Sequence, residues 1–147
     1  MLFFGTHSVK VDDKGRLKLP SLVKERLVER YKDATYIVTS LTGDSVVIWP
    51  QPEFERIDRS LAQMSEFSKV RVKFQNTVNR YGAEATLDEQ GRMLIPAKLR
   101  ESAGMKGEVT LFWQGNHLEV HNQAKYDAEA DQNRLTAEDL EELAKVV

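Results

Sequence analysis

The 147-residue sequence has no cysteine, which excludes a disulfide framework and a thiol nucleophile. It also lacks any long apolar run. The opening stretch MLFFGTHSVK is too short in apolar residues, and has no basic lead-in, for a signal peptide or a membrane span. That points to a cytoplasmic protein. No phosphate-binding glycine loop, cofactor fingerprint or nucleophile–base pattern is present, so nothing in the chain argues for an enzyme or for a bound cofactor. An excess of one charge sign is missing too, the net charge being −2. The distribution is uneven, however. Residues 126–147 hold Asp127, Glu129, Asp131, Glu138, Asp139, Glu141 and Glu142 against Arg134 and Lys145, so residues 1–125 carry a net +3. A near-neutral total thus leaves room for a basic face.

What the chain does contain is a repeat. VDDKGRLKLP, residues 11–20, returns as LDEQGRMLIP, residues 87–96. An offset of 76 superposes Asp12, Gly15, Arg16 and Pro20 on Asp88, Gly91, Arg92 and Pro96. Further on, an offset of 72 aligns IVTSLTGDSVVIW from Ile37 with VTLFWQGNHLEVH from Val109. Each half reads as strand, tight turn, strand, helix, strand, glycine turn, strand. Gly15 and Gly91 suit the left-handed position of a short loop. Pro20 and Pro96 suit the first turn of a helix, and Gly104 a helix stop. Phe54, Ile57, Leu61 and Met64, then Phe67, Val70, Phe74, Val78 and Tyr81, keep helical spacing, the second helix covering 66–80. Thr136 and Asp139 form a capping-box pattern ahead of a short acidic helix. Halves this small cannot bury a core alone, so the reading is one α+β domain of two interleaved repeats, 1–50 and 81–125. Connecting helices occupy 51–80 and an acidic helical tail 126–147.

With the loop at Asp13, Lys14 and Gly15, Asp12 falls opposite Arg16, Val11 opposite Leu17 and Lys10 opposite Lys18. Odd residues face the core and even residues face outward. Facing lysines repel, which a fold does not need and a bound anion would relieve. A two-stranded ribbon also fits the DNA major groove. The plainer reading is that Asp12 and Arg16 form an ordinary cross-strand pair and the lysines are solvated. The second turn, with Glu89, Gln90 and Leu94, lacks the lysines, so its repetition serves the fold. HLEVH sets His117 and His121 four apart, but on a strand and without a third ligand, which argues against a metal site. Lys69, Arg71, Lys73 and Arg80 suit a solvated face, a phosphate contact or a subunit contact. Trp49 and Trp113 suit the core or an interface.

DDKGRLKLP and DEQGRMLIPAKLR together resemble the MraZ family, marked by a paired Asp-x-x-x-Arg motif, here Asp12 to Arg16 and Asp88 to Arg92. The resemblance runs from FFGTHSVKVD to GNHLEV and leaves the acidic tail outside. It implies a duplicated AbrB-type swapped-hairpin barrel and a ring-shaped homo-oligomer. It also implies a transcriptional regulator, nucleoid-associated, that binds direct repeats in the promoter of its own cell-division and cell-wall gene cluster. Arg16 and Arg92 become the DNA-facing residues, joined by Lys10, Lys14 and Lys18, with Asp12, Asp88, Gly15 and Gly91 as the structural part of the motif. Two departures stand out: His121 in place of a tryptophan in the last strand, and the lysine-rich first turn. The rival reading is a non-catalytic scaffold that grips an acidic partner with the same basic hairpin.

Overall fold

Alternating burial over Thr6–Val11 makes β1, which turns at Gly15 into β2 (Arg16–Lys18). The computed structural model describes residues 2–147. The chain continues through α1 (Ser21–Tyr31), β3 (Tyr36–Thr39), β4 (Val46–Pro50), α2 (Gln51–Leu61) and α3 (Lys69–Tyr81). The second half repeats the order as β5 (Ala83–Ala85), β6 (Arg92–Leu94), α4 (Ala97–Ala103), β7 (Gly107–Gln114) and β8 (His117–Asn122). Helices α5 (Gln123–Ala130) and α6 (Ala137–Ala144) follow. The expected α+β repeat of strand pair, helix and strand pair is present in both halves.

All strand pairs are antiparallel, in the order β5-β3-β4-β8-β7-β1-β2-β6. The second turn links the two end strands, so the sheet is a nearly closed barrel. Exchanging β1–β4 with β5–β8 turns this circular order into itself read backwards, which is the mark of a pseudo-twofold duplication. Each half donates strands to the other: β1 pairs with β7, β3 with β5 and β2 with β6. That is the swapped arrangement. One detail of the alignment changes. Val38 faces Ile48 and Leu111 faces Val120, so β3 and β7 correspond at an offset of 73 while β4 and β8 keep 72. A slip of one residue exchanges the two faces of a strand, so the barrel cannot tolerate the uniform 72 offset.

Leu17, Leu19, Met93, Ile95, Val109, Leu111, Leu118 and Val120 sit together in a single core, all at most 1% exposed. Trp49 and Trp113 are buried as well. The prolines stand one place earlier than expected. Pro20 (ψ 146°) and Pro96 (ψ 142°) are N-caps rather than first helical residues. Their extended ψ lets the chain leave a strand, while their carbonyls accept from Lys24 and Arg100 at 3.0 and 2.9 Å. Gly104 ends α4 at φ 64°, as expected, whereas α1 ends on Lys32 at φ 54° with no glycine. Helix α3 begins at Lys69 rather than near residue 66, because the Ser68 hydroxyl accepts from Arg71 N–H and caps it. Phe67 is left outside the helix, 91% exposed. The Thr136–Asp139 capping box forms in full.

Candidate nucleic-acid interface

The two repeated turns have the same internal wiring. Asp12 Oδ1 accepts from the backbone N–H of Lys14 (3.0 Å) and Arg16 (2.9 Å), and its Oδ2 accepts from Arg16 Nε at 2.8 Å. Asp88 does the same with Gln90, Arg92 and Arg92 Nε, at 2.9, 2.9 and 2.8 Å. Backbone bonds from Arg16 and Arg92 in turn hold both carboxyls below the usual aspartate pKa. Gly15 (φ 83°) and Gly91 (φ 75°) occupy the left-handed region, as the loop requires. The carboxylate thus fixes the loop and aims the arginine, while only Nε of each guanidinium is used. Among the described residues, neither pair of terminal nitrogens has a protein acceptor.

Expected neighbours change once the strands are placed. Val11 faces Leu17, but the β1/β2 pairing stops there. Lys10 lies opposite Glu108 in β7 and Lys18 opposite Arg92 in β6, so Lys10 and Lys18 are not a cross-strand pair. The cause is the swap: β1 and β2 diverge, each to pair with a strand of the other repeat. The outward ribbon is therefore β2/β6, one strand from each half. Its exposed face carries Arg16 opposite Leu94 and Lys18 opposite Arg92. Arg16 and Arg92 are diagonal neighbours, their backbones ~7–8 Å apart. Lys14 stands exposed in the first loop, with Lys10 exposed on β1.

Lysine also reaches the second turn. Lys18 Nζ donates to the Gln90 carbonyl at 2.5 Å and Lys24 Nζ to the Glu89 carbonyl at 3.3 Å. The turn poor in lysine is thereby lined by lysines from elsewhere. Arg100 is the counterpart of Lys24 one repeat later, and its guanidinium lies where a Cβ on Gly15 would collide with it. Both residues escape a reading confined to the turns. The 76-residue offset was the available signal, since it places Lys24 and Arg100 at matching helical positions beneath the turns.

The histidine pair lies elsewhere. On the outer face of β8, Glu119 accepts from His121 at 3.2 Å and approaches His117 at 3.5 Å. Hydrogen bonds from these rings hold the Glu119 pKa down to about 2. His121 fills the position of Trp49 in the other repeat, edge-on to Phe112 at 5.0 Å. No group of three metal-ligating side chains occurs among the described residues. Nor is any helix among them long and apolar enough to cross a membrane.

A family model described as "MraZ protein, putative antitoxin-like" matches residues 2–77 and, a second time, 82–146. The second match includes most of the acidic tail, so the likeness to the family extends beyond GNHLEV. The protein named Transcriptional regulator MraZ from Acidobacterium capsulatum is 40% identical over 144 residues, 98% of either chain. Its namesake from Koribacter versatilis is 37% identical over 138 residues, 94% of either chain. One from Escherichia coli O9:H4 is 32% identical over 147 residues, covering 96% of this chain and 95% of that one.

Proposed function

The chain belongs to the MraZ family, and from that premise we propose that it is a sequence-specific DNA-binding regulator of transcription. Its relatives are named as transcriptional regulators, which is not an enzymatic class. The carrying observation is the β2/β6 ribbon, which presents Arg16, Lys18 and Arg92 on one outward face. A ribbon of two strands fits the major groove, and a guanidinium held at Nε keeps two donors for a guanine edge. Separated by ~7–8 Å, the two arginines match about two base steps of ~3.4 Å. In this reading Arg16 and Arg92 read bases, and Lys10 and Lys14 hold phosphates. Lys18 supports both by tying the first strand to the second turn. The target is a set of direct repeats upstream of the chain's own cell-division and cell-wall gene cluster, and the working form is a nucleoid-associated, cytoplasmic ring of identical subunits. Copies on a ring meeting repeats in DNA turn later contacts into intramolecular ones, raising avidity ~10²–10⁴-fold.

Gel shift with the upstream DNA against a shuffled competitor tests the proposal. Retardation of the repeats that survives shuffled competitor is the expected result. Equal retardation of both sequences would leave only a general anion-binding face, the scaffold reading.

A further inference from the structure

Each repeat ends in two helices, α2 and α3 in the first and α5 and α6 in the second, with α2 and α5 starting at the same repeat position, 51 and 123. Their second helices behave differently. Helix α3 lies over β3, where Thr39 Oγ1 donates to the Val78 carbonyl at 2.7 Å and Val78 is buried in the groove beside Phe54. The matching positions of the second repeat are Phe112 and Tyr126, with ring centroids 5.5 Å apart. There the groove is open, a cleft of about 540 Å³ that Gln114, His121, Glu129 and Asn133 help to line and to which no α6 residue contributes. Every residue of α6 is exposed, Leu140 at 54% and Leu143 at 39% among them.

The two arms have also diverged in charge. From 67 to 83 the chain has Lys69, Arg71, Lys73 and Arg80 and no acid, and residues 126–147 carry a net −5. Near the first of these charges Phe67 is 91% and Val70 67% exposed. Each arm thus pairs uncovered apolar surface with a net charge, and the two net charges are of opposite sign. The basic β2/β6 face is a poorer match for the acidic arm, since Leu94 is its one exposed large apolar residue.

We infer that the start of α3, with Phe67 and Val70, docks in a second copy of this chain, against the β7/α5 cleft and α6. The contact joins different surfaces of two copies, so each subunit offers one plug and one socket. Repeated, it generates a ring if the rotation closes and a filament if it does not. The inference rests on the ring reading, to which it adds the seam.

Two charge-reversed proteins test it by light scattering, alone and mixed. One carries Lys69→Glu, Arg71→Glu and Lys73→Glu. The other carries Glu138→Lys, Glu141→Lys and Glu142→Lys, leaving the capping Asp139 in place. Each alone has arms of one sign and loses the wild-type oligomer mass. Their mixture restores both kinds of junction and recovers that mass in alternating assemblies. Phe67→Ser, outside the core, also loses the oligomer, while circular dichroism shows the subunit still folded. Wild-type mass in either reversed protein, or a mixture that stays apart, would overturn the seam while the ring stands. Wild-type protein that is itself a monomer would instead overturn the ring reading.

Discussion

Arg16 and Lys14 are a few residues apart in one turn, and the proposed function predicts different work for them. Arg16 is held at Nε by Asp12, so Arg16→Ala removes a planar donor pair worth ~1–3 kcal/mol of discrimination. In titrations of repeat and random DNA, selectivity should collapse while the protein stays folded. Lys14 is an exposed point charge, so Lys14→Ala should weaken both DNAs alike and make the salt dependence shallower. Preference for the repeats surviving in Arg16→Ala would remove this turn as the reader. The aspartates that aim the arginines also set a pH response. Asp12 and Asp88 have folded pKa values below their unfolded ones, so their contribution is complete above about pH 4. It is lost as pH falls through the lowered values. Denaturant titrations from pH 7 to 2 should show stability falling below about pH 4. The double variant Asp12→Asn, Asp88→Asn should be weaker at pH 7 and should fall less. An unchanged acid profile in that variant would place the acid sensitivity elsewhere, with Glu119 next in line because its pKa is about 2.

Among the elements, α6 depends most on its own local chemistry. It is exposed throughout and gains nothing from a core, so its capping box supplies the fixed point. Thr136→Ala removes the acceptor for Asp139 N–H at 3.1 Å, a loss of ~0.5–2 kcal/mol to the helix. The expected readout is lower helical circular dichroism with the barrel's thermal transition unmoved. A barrel transition lowered even in the Phe67→Ser background, where the contact between copies is already lost, would mean that α6 packs on its own subunit. By contrast, α3 is fixed at its end by Val78 and Thr39, so Ser68→Ala should fray only its first turn.

For the molecule as a whole, the two repeats are one cooperative unit, because Leu17 and Met93 face each other across β2/β6 with neither exposed to solvent. Leu17→Ala and Met93→Ala should each cost ~2–5 kcal/mol in denaturant unfolding. Since the pair is in contact, the double variant should lose less or more than the sum, by ~0.5–3 kcal/mol. Strictly additive losses with two separate transitions would mean that the halves fold independently, against the strand exchange in the barrel.

Much of this is legible in the amino-acid sequence alone. Asp12, Gly15 and Arg16 and their copies specify the turn, because a left-handed glycine and a carboxylate within reach of the next N–H groups are local requirements. The alternation of Val9, Val11, Leu17 and Leu19 names the buried face for the same reason, and the repeat reveals the duplication. Local chemistry cannot choose a strand's partner. Lys10 opposite Glu108, Lys18 opposite Arg92 and the union of both motif arginines on one ribbon were decided by long-range pairing between residues 74 to 98 positions apart. The offset of 73 in β3 and β7 was settled likewise, by which face the nearly closed barrel must bury. Sequence determined the parts and their conformations; the swap determined which of them meet.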